Sequence, residues 1–362
     1  MSQNNSQTME TNMKKVNIIG AGLAGSEAAW QLVQRGIPVR LYEMRPKKYS
    51  PAHHTNNFGE LVCSNSLRAN NIENAVGLLK EELRRMDSLI MHCADDNQVP
   101  AGGALAVDRE KFSAQITKTL TEHPLVEVIY EEVTQIPENE ITIIATGPLT
   151  EGAMAEYVKN ATSQDDLYFY DAAAPIVTAE SINYEKAFWA SRYDKGDADY
   201  LNCPMTEEEY NAFYDALTSA EVIETKEFEK AKFFEGCMPI EEMARRGTET
   251  LRYGPMRPVG LGINPTGKKW HAVIQLRAEN AQKTLFNMVG FQTRLKWGTQ
   301  KEIFSMVPAL KNARFARLGC MHRNTFIESP KLLDETLRLR PELPCAKGIP
   351  PTWFAGQITG AE

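Results

Sequence analysis

The 362-residue sequence has no excess of positive charge, since 40 Lys and Arg stand against 47 Asp and Glu for a formal charge of -7. A wholly basic nucleic-acid coat is excluded, and any polyanion must meet a local positive patch on an acidic body. Nowhere is there an apolar run of the roughly 18 residues a membrane span requires. Residues Met1 to Thr11 are polar and lack the basic start and apolar stretch of a secretory signal, so a cytoplasmic protein is expected, with neither membrane nor DNA as partner. Six cysteines are scattered without a Cys-x-x-Cys pair, which argues against a structural zinc and a thioredoxin-like motif. No metal is expected, and the cysteines should be free thiols. What is present is ordinary globular composition, 43% hydrophobic and 24% charged. Disordered, collagenous and coiled-coil readings fail on it, and the length suits two domains or one domain carrying an insertion.

Val16-Asn17-Ile18-Ile19 reads as a short buried strand that runs directly into Gly20-Ala21-Gly22-Leu23-Ala24-Gly25, a G-x-G-x-x-G turn. An apolar helical stripe (Ala28, Ala29, Leu32, Val33) follows, then a stop at Arg35-Gly36 and a second strand, Val39 to Tyr42, closed by Glu43. In such a unit the glycines let the backbone approach a pyrophosphate at a helix N-terminus, and Glu43 can accept hydrogen bonds from both ribose hydroxyls of an adenosine. That carboxylate would repel a 2'-phosphate, which favours FAD or NAD over NADP. Ile141 to Gly147, an apolar strand ending in Ala-Thr-Gly, resembles the second sheet element of two-dinucleotide flavoproteins, and Trp353 to Gly360 resembles the strand and turn that lead there to a helix facing the flavin. The chain stops two residues later, so a C-terminal truncation is expected.

Ala75 to Cys93 carries Leu78, Leu79, Leu83, Met86, Leu89, Ile90 and Cys93 at helical spacing, predicting one amphipathic helix with Cys93 in the core. Asp108 should cap a helix that buries Phe112, Ile116 and Leu120, and Thr206 to Glu209 a helix that buries Tyr210, Phe213 and Leu217. Two thiols have settings that favour a thiolate. Cys237 precedes Pro239-Ile240-Glu241-Glu242, the first turn of a helix, and Cys63 sits in Leu61-Val62-Cys63-Ser64-Asn65-Ser66 with Arg68 one turn on. Spacing alone leaves both as structural cysteines.

Longer segments carry more. Gly20 to Pro46, Ala52-His53-His54-Thr55, Glu60 to Ser66, Val99 to Arg109, Glu235 to Glu241 and Met321 to Thr325 together resemble the bacterial folate- and FAD-dependent tRNA (uracil-5-)-methyltransferases. The resemblance implies transfer of a one-carbon unit from methylenetetrahydrofolate to C5 of the T-loop uridine, with FAD as carrier and reductant and NAD(P)H reducing the flavin. It implies Gly20, Gly22, Gly25, Glu43, Gly147 and Gly356 as FAD contacts, Cys237 as the thiolate that adds to uracil C6, Cys63 as a second functional thiol beside the flavin, and His53 and His54 as active-site neighbours.

The expected fold class is α/β, an FAD-binding two-dinucleotide (Rossmann-like) domain with an inserted α+β domain: a disordered tail over 1–12, the first part of the flavin domain over 13–170, the insertion over 171–317 and the second part, truncated, over 318–362. RNA contact is expected at Lys268, Lys269, Arg294 and Lys296, and near Arg314 to Arg317, where cations alternate with aromatics that can stack on bases. The residues alone favour a solvated basic face with Trp297 in the core. With one fingerprint only, the reductant must bind without a second Rossmann domain. Rival readings are another flavoprotein oxidoreductase or a modifier of wobble uridine, needing neither folate nor Cys237, and a non-catalytic tRNA-binding module without flavin.

Overall fold

The computed structural model describes residues 14–50, 52–163, 167–194, 197–223, 238–263, 267 and 269–360. Its first layer is a five-stranded sheet in the order Thr352–Phe354, Thr142–Ile144, Val16–Ile19, Val39–Glu43, Val126–Tyr130. Every pairing in it is parallel. The central strand is buried along its whole length because helices cover both faces, which is why it reads as an uninterrupted apolar run. On one side Ile18, Leu41, Phe112 and Ile116 share a core with Ala29 and Val33 of the helix Leu23–Val33. On the other, Ile19, Ile144 and Phe354 pack with Met154 and Val158 of the helix Gly152–Thr162.

Between the strands Thr142–Ile144 and Thr352–Phe354 the chain leaves this sheet and builds a second. Six strands, in the order Phe188–Ala190, Tyr200–Met205, Ala272–Ala278, Leu285–Met288, Ile176–Thr178, Phe315–Arg317, all pair antiparallel. Leu201, Ile274, Phe213, Phe291 and Phe304 lie in its core, the largest of the molecule. The architecture is an α/β Rossmann-like layer whose sheet is completed after an inserted α+β layer. A two-stranded ribbon, Leu167–Ala172 with Met321–Phe326, carries the chain between the two. A three-stranded sheet (Ser66–Ala69, Ala104–Val107, Gln98–Val99) flanks the first layer.

The capping expectations hold. Asp108 accepts from the Lys111 amide, and Thr206 and Glu209 form a reciprocal capping box above buried Tyr210, Phe213 and Leu217. The single helix expected over Ala75 to Cys93 is two, Ala75–Arg85 and Leu89–Asp96. Asp87 takes a left-handed conformation and Ser88 caps the second helix, accepting from the Met91 amide, so the stripe is interrupted. Leu78, Leu79 and Met86 are then 45%, 54% and 60% exposed, while Gly77 and Lys80 face inward. Lys80 is tolerated there because its ammonium donates to the carbonyls of Ala69 and Val76. Cys93 is in the core as expected, and burial, with Asp96 and Glu27 nearby, pushes its thiol up to about 12.

Candidate functional site

The strands of the parallel sheet end on the same side, and all five feed one cavity of about 360 Å³, the strand Val126–Tyr130 through Glu131 to Val133. Gly20 and Gly22 enter it from the first strand, Glu43 and Arg45 from the second, Gly147 from the strand Thr142–Ile144 and Gly356 from the last. The glycines differ in their reasons. Gly20 has φ +99° and lies so near the neighbouring strand that a Cβ would be 2.7 Å from the Ala145 carbonyl oxygen. At Gly25 a Cβ would be 1.8 Å from the Gly20 carbonyl oxygen, so this glycine, which does not line the cavity, allows the helix to close on the turn. A Cβ at Gly22 would meet nothing within 4 Å, and the space it leaves faces the cavity at an N-terminus that no side chain caps. The first helical turn is therefore open to an anion.

Glu43 is buried and held by Arg45. Its Oε1 accepts from the Arg45 amide at 3.0 Å and Nε at 2.9 Å, and its Oε2 from Arg45 Nη2 at 3.0 Å and the Ala21 amide at 3.3 Å. Burial raises its affinity for a proton, but the hydrogen bonds and charge of Arg45 outweigh that and leave the carboxyl below the ordinary glutamate range. Arg45 is in turn shared with Glu60 at 3.0 Å. A lone buried arginine would be costly, and two carboxylates offset it. His53, on the same wall, has Nδ1 2.6 Å from Ser50 Oγ, and burial, reinforced by the Arg45 charge, pulls it down to about 4. It is neutral at physiological pH. His54 lies off the cavity lining, and it too is lowered by burial and by Arg317.

Leu61 and Val62 line the cavity, and Cys63 follows them directly. The Cys63 loop is clamped onto the second sheet. Arg277 donates to Asn65 Oδ1 at 2.9 Å and Ser64 Oγ at 2.8 Å, Asn65 donates to the Ala278 carbonyl at 3.0 Å, and Arg109, ion-paired with Glu279, donates to the Leu61 carbonyl at 2.5 Å. Against the thiol stand two residues that the sequence did not single out, Asp171 and His322. Cys63 Sγ is 3.7 Å from Asp171 Oδ2 and 3.7 Å from His322 Nε2. Asp171 and His322 are register partners on the two-stranded ribbon, which explains their meeting. Only the segment Met321 to Thr325, one of those that carry the resemblance, hinted at that strand.

Cys237 and Lys268 lie outside the described residues. The helix expected after Cys237 spans Ile240–Arg245, with Glu241 buried and accepting from Thr293 Oγ1 and the Arg294 amide. Arg294 pairs with Glu242, Lys296 with Glu221 and Arg314 with Glu180, so these cations each face a carboxylate. Lys269 is exposed. Trp297 is 65% exposed and is not a core residue.

Comparison with known proteins places this arrangement. Residues 15–362 match the family described as glucose inhibited division protein A. A methylenetetrahydrofolate--tRNA-(uracil-5-)-methyltransferase TrmFO of Desulfitobacterium hafniense (strain Y51) is 60% identical over 352 residues, 97% of this chain and 78% of the relative. The protein of the same name from Listeria monocytogenes serotype 4b (strain F2365) is 60% identical over 349 residues, 96% of this chain and 79% of that one. Among solved structures, Aquifex aeolicus GidA in its form II crystal superposes with a TM-score of 0.67 at 13% identity, covering 97% of this chain and 60% of that chain, a likeness of fold alone. With a parallel sheet feeding one glycine-lined cavity and a clamped cysteine at its edge, the chain belongs to the glucose inhibited division protein A family and, within it, to the methylenetetrahydrofolate--tRNA-(uracil-5-)-methyltransferases.

Proposed function

We propose that this chain methylates C5 of a tRNA uridine, the one in the T arm, using methylenetetrahydrofolate as carbon donor and FAD as cofactor, in the cytoplasm. The observation that carries the reading is the convergence of Gly20, Gly22, Gly147 and Gly356 on a cavity whose wall runs on into Cys63. The cavity fits FAD: the uncapped helix N-terminus beside Gly22 can receive a pyrophosphate, and Glu43 stays ionised where an adenosine ribose would need an acceptor. Bound there and reduced by NAD(P)H, the flavin would supply hydride to the transferred carbon.

The chain's own residues act on the base. Uracil C5 is a poor nucleophile until a thiolate adds at C6 and makes the ring an enolate, and Cys237 is assigned that role. Cys63 serves as the second thiol, on the flavin side. His53 borders the site as a neutral group, and His54 is its neighbour off the cavity lining. The base must leave its loop to reach the thiol, and Lys268, Lys269, Arg294 and Lys296 are assigned to the RNA backbone. We place the inserted domain at 171–317, with the flavin domain at 13–170 and 318–362.

Incubating unmodified tRNA with methylene-labelled methylenetetrahydrofolate, FAD and NADPH or NADH tests this directly. Label is expected in 5-methyluridine of the T arm and should depend on folate. Flavin turnover without label in RNA would instead indicate a small-molecule oxidoreductase, and label in the anticodon loop a modifier of wobble uridine.

A further inference from the structure

We propose that His322 is the proton acceptor for the Cys63 thiol and that Asp171 is the positioning residue that holds the imidazolium so formed. The inference rests on the reading of Cys63 as a functional thiol. His322 Nε2 and Asp171 Oδ2 are each 3.7 Å from Cys63 Sγ and 3.8 Å from one another, a nearly equilateral cluster. The imidazole is 5% and the carboxylate 11% exposed, so solvent has little share in where the proton rests. Asp171 is itself fixed, its Oδ1 accepting from the Ala172 amide at 2.7 Å.

In the proposed step the S–H bond breaks, its electron pair stays on sulfur, and the proton forms a bond to the Nε2 lone pair. Nothing is oxidised or reduced. The charged and titratable groups facing His322 are Asp171 from the partner strand, Arg317 from the strand Phe315–Arg317, and Cys63. Burial lowers His322, and Arg317 acts in the same sense against the opposing pull of Asp171, so the resting ring favours its neutral form; the relay requires the tautomer whose lone pair is on Nε2, the nitrogen facing sulfur. Asp171 is nearly equidistant from sulfur and nitrogen, so its effects on the thiolate and on the imidazolium nearly cancel. It therefore does not drive the transfer; once the proton is on Nε2, that N–H faces a carboxylate oxygen 3.8 Å away, which holds the imidazolium in place.

The three atoms also have the spacing of metal ligands. Histidines that bind metal almost always donate their other ring nitrogen to a partner, yet His322 Nδ1 is buried with none among the described residues. The unpartnered Nδ1 bears equally on both readings, and the chelator arm of the test below separates them.

The test is the rate at which iodoacetamide alkylates Cys63 in the purified chain, read by peptide mass spectrometry across pH. Transfer inside the pair releases no proton to solvent, so the native rate should be nearly level between about pH 6.5 and 8, whereas an unassisted thiol gains about tenfold per pH unit. In His322→Gln the level stretch should become that slope, with a rate at neutral pH lower by about tenfold or more. Asp171→Asn should keep the level stretch, and Cys345 alkylation should be unchanged in both variants. A native profile that already rises about tenfold per unit would overturn the relay without recourse to any variant. So would a level stretch that vanishes with a chelator and returns with zinc, which would mean a metal site. A level native profile together with full methylation by Cys63→Ser would keep the relay and remove Cys63 from the reaction.

Discussion

The two sheets of this protein make their surfaces differently. In the five-stranded sheet the parallel strands run their carboxyl ends into one rim, so Gly20, Glu43, Gly147 and Gly356, far apart in sequence, are neighbours by topology. In the six-stranded sheet the antiparallel strands send alternate ends to opposite rims, and no such convergence is built in. Its strengths are the larger core and two polar groups that help seat the Cys63 loop, Arg277 directly and Glu279 through its ion pair with Arg109 of the first layer. The parallel layer makes a pocket, and the antiparallel layer makes a platform that supplies groups to the pocket's edge.

The largest effect should come from the inserted side. Cys237→Ala is expected to abolish the denaturation-stable adduct with RNA carrying 5-fluorouridine at the target position, because after carbon transfer the fluorine cannot leave as a proton does. Flavin retention, read from the visible spectrum, should be unchanged. An adduct mapped to Cys63 instead would reverse the two thiols' assignments.

Two glycines of one turn should separate folding from binding. Gly25→Ala, whose Cβ would overlap the Gly20 carbonyl oxygen at 1.8 Å, should cost about 3 kcal/mol in thermal or denaturant unfolding. Gly22→Ala has open space and should change stability by less than about 0.5 kcal/mol while weakening flavin retention. Equal losses of stability in both variants would contradict this division.

Glu43→Gln should destabilise by about 3 kcal/mol at neutral pH, since it leaves Arg45 buried with only Glu60 as a charged partner. The native carboxyl lies below its ordinary value of 4.5, so its stabilising contribution is present above that value and is lost as pH falls through the lower, folded one. Melting temperatures at pH 7 and below 4.5 should therefore differ less in the variant than in the native chain. The smallest effect is expected at Lys296, already paired with Glu221: Lys296→Ala should lower the slope of log affinity for tRNA against log salt by about 0.9 or less. A larger change would make it a principal phosphate contact.

Legibility in the sequence followed the range of the interactions. The caps at Asp108 and Thr206 and the crowding of Gly25 on Gly20 depend on residues within a turn or two of one another, and local sterics and hydrogen bonding settle them; Gly20 was legible through its motif although the Ala145 carbonyl that crowds it comes from a distant stretch of chain. The split of the helix over Ala75 to Cys93 was not legible, because periodicity reports which side chains share a face and not whether anything packs on that face. Trp297 illustrates the same limit, an aromatic side chain whose exposure no local pattern reveals.

By itself, then, the sequence determined the dinucleotide turn and the residue types of the chemistry, for glycine's backbone freedom and a cysteine's nucleophilicity are properties of the residues. The tertiary structure alone decided that Arg45 occupies Glu43 and that Asp171 and His322, 108 and 259 positions from Cys63, surround its sulfur. Strand register and the clamp between the two sheets create those contacts, and neither is encoded within any one stretch of chain.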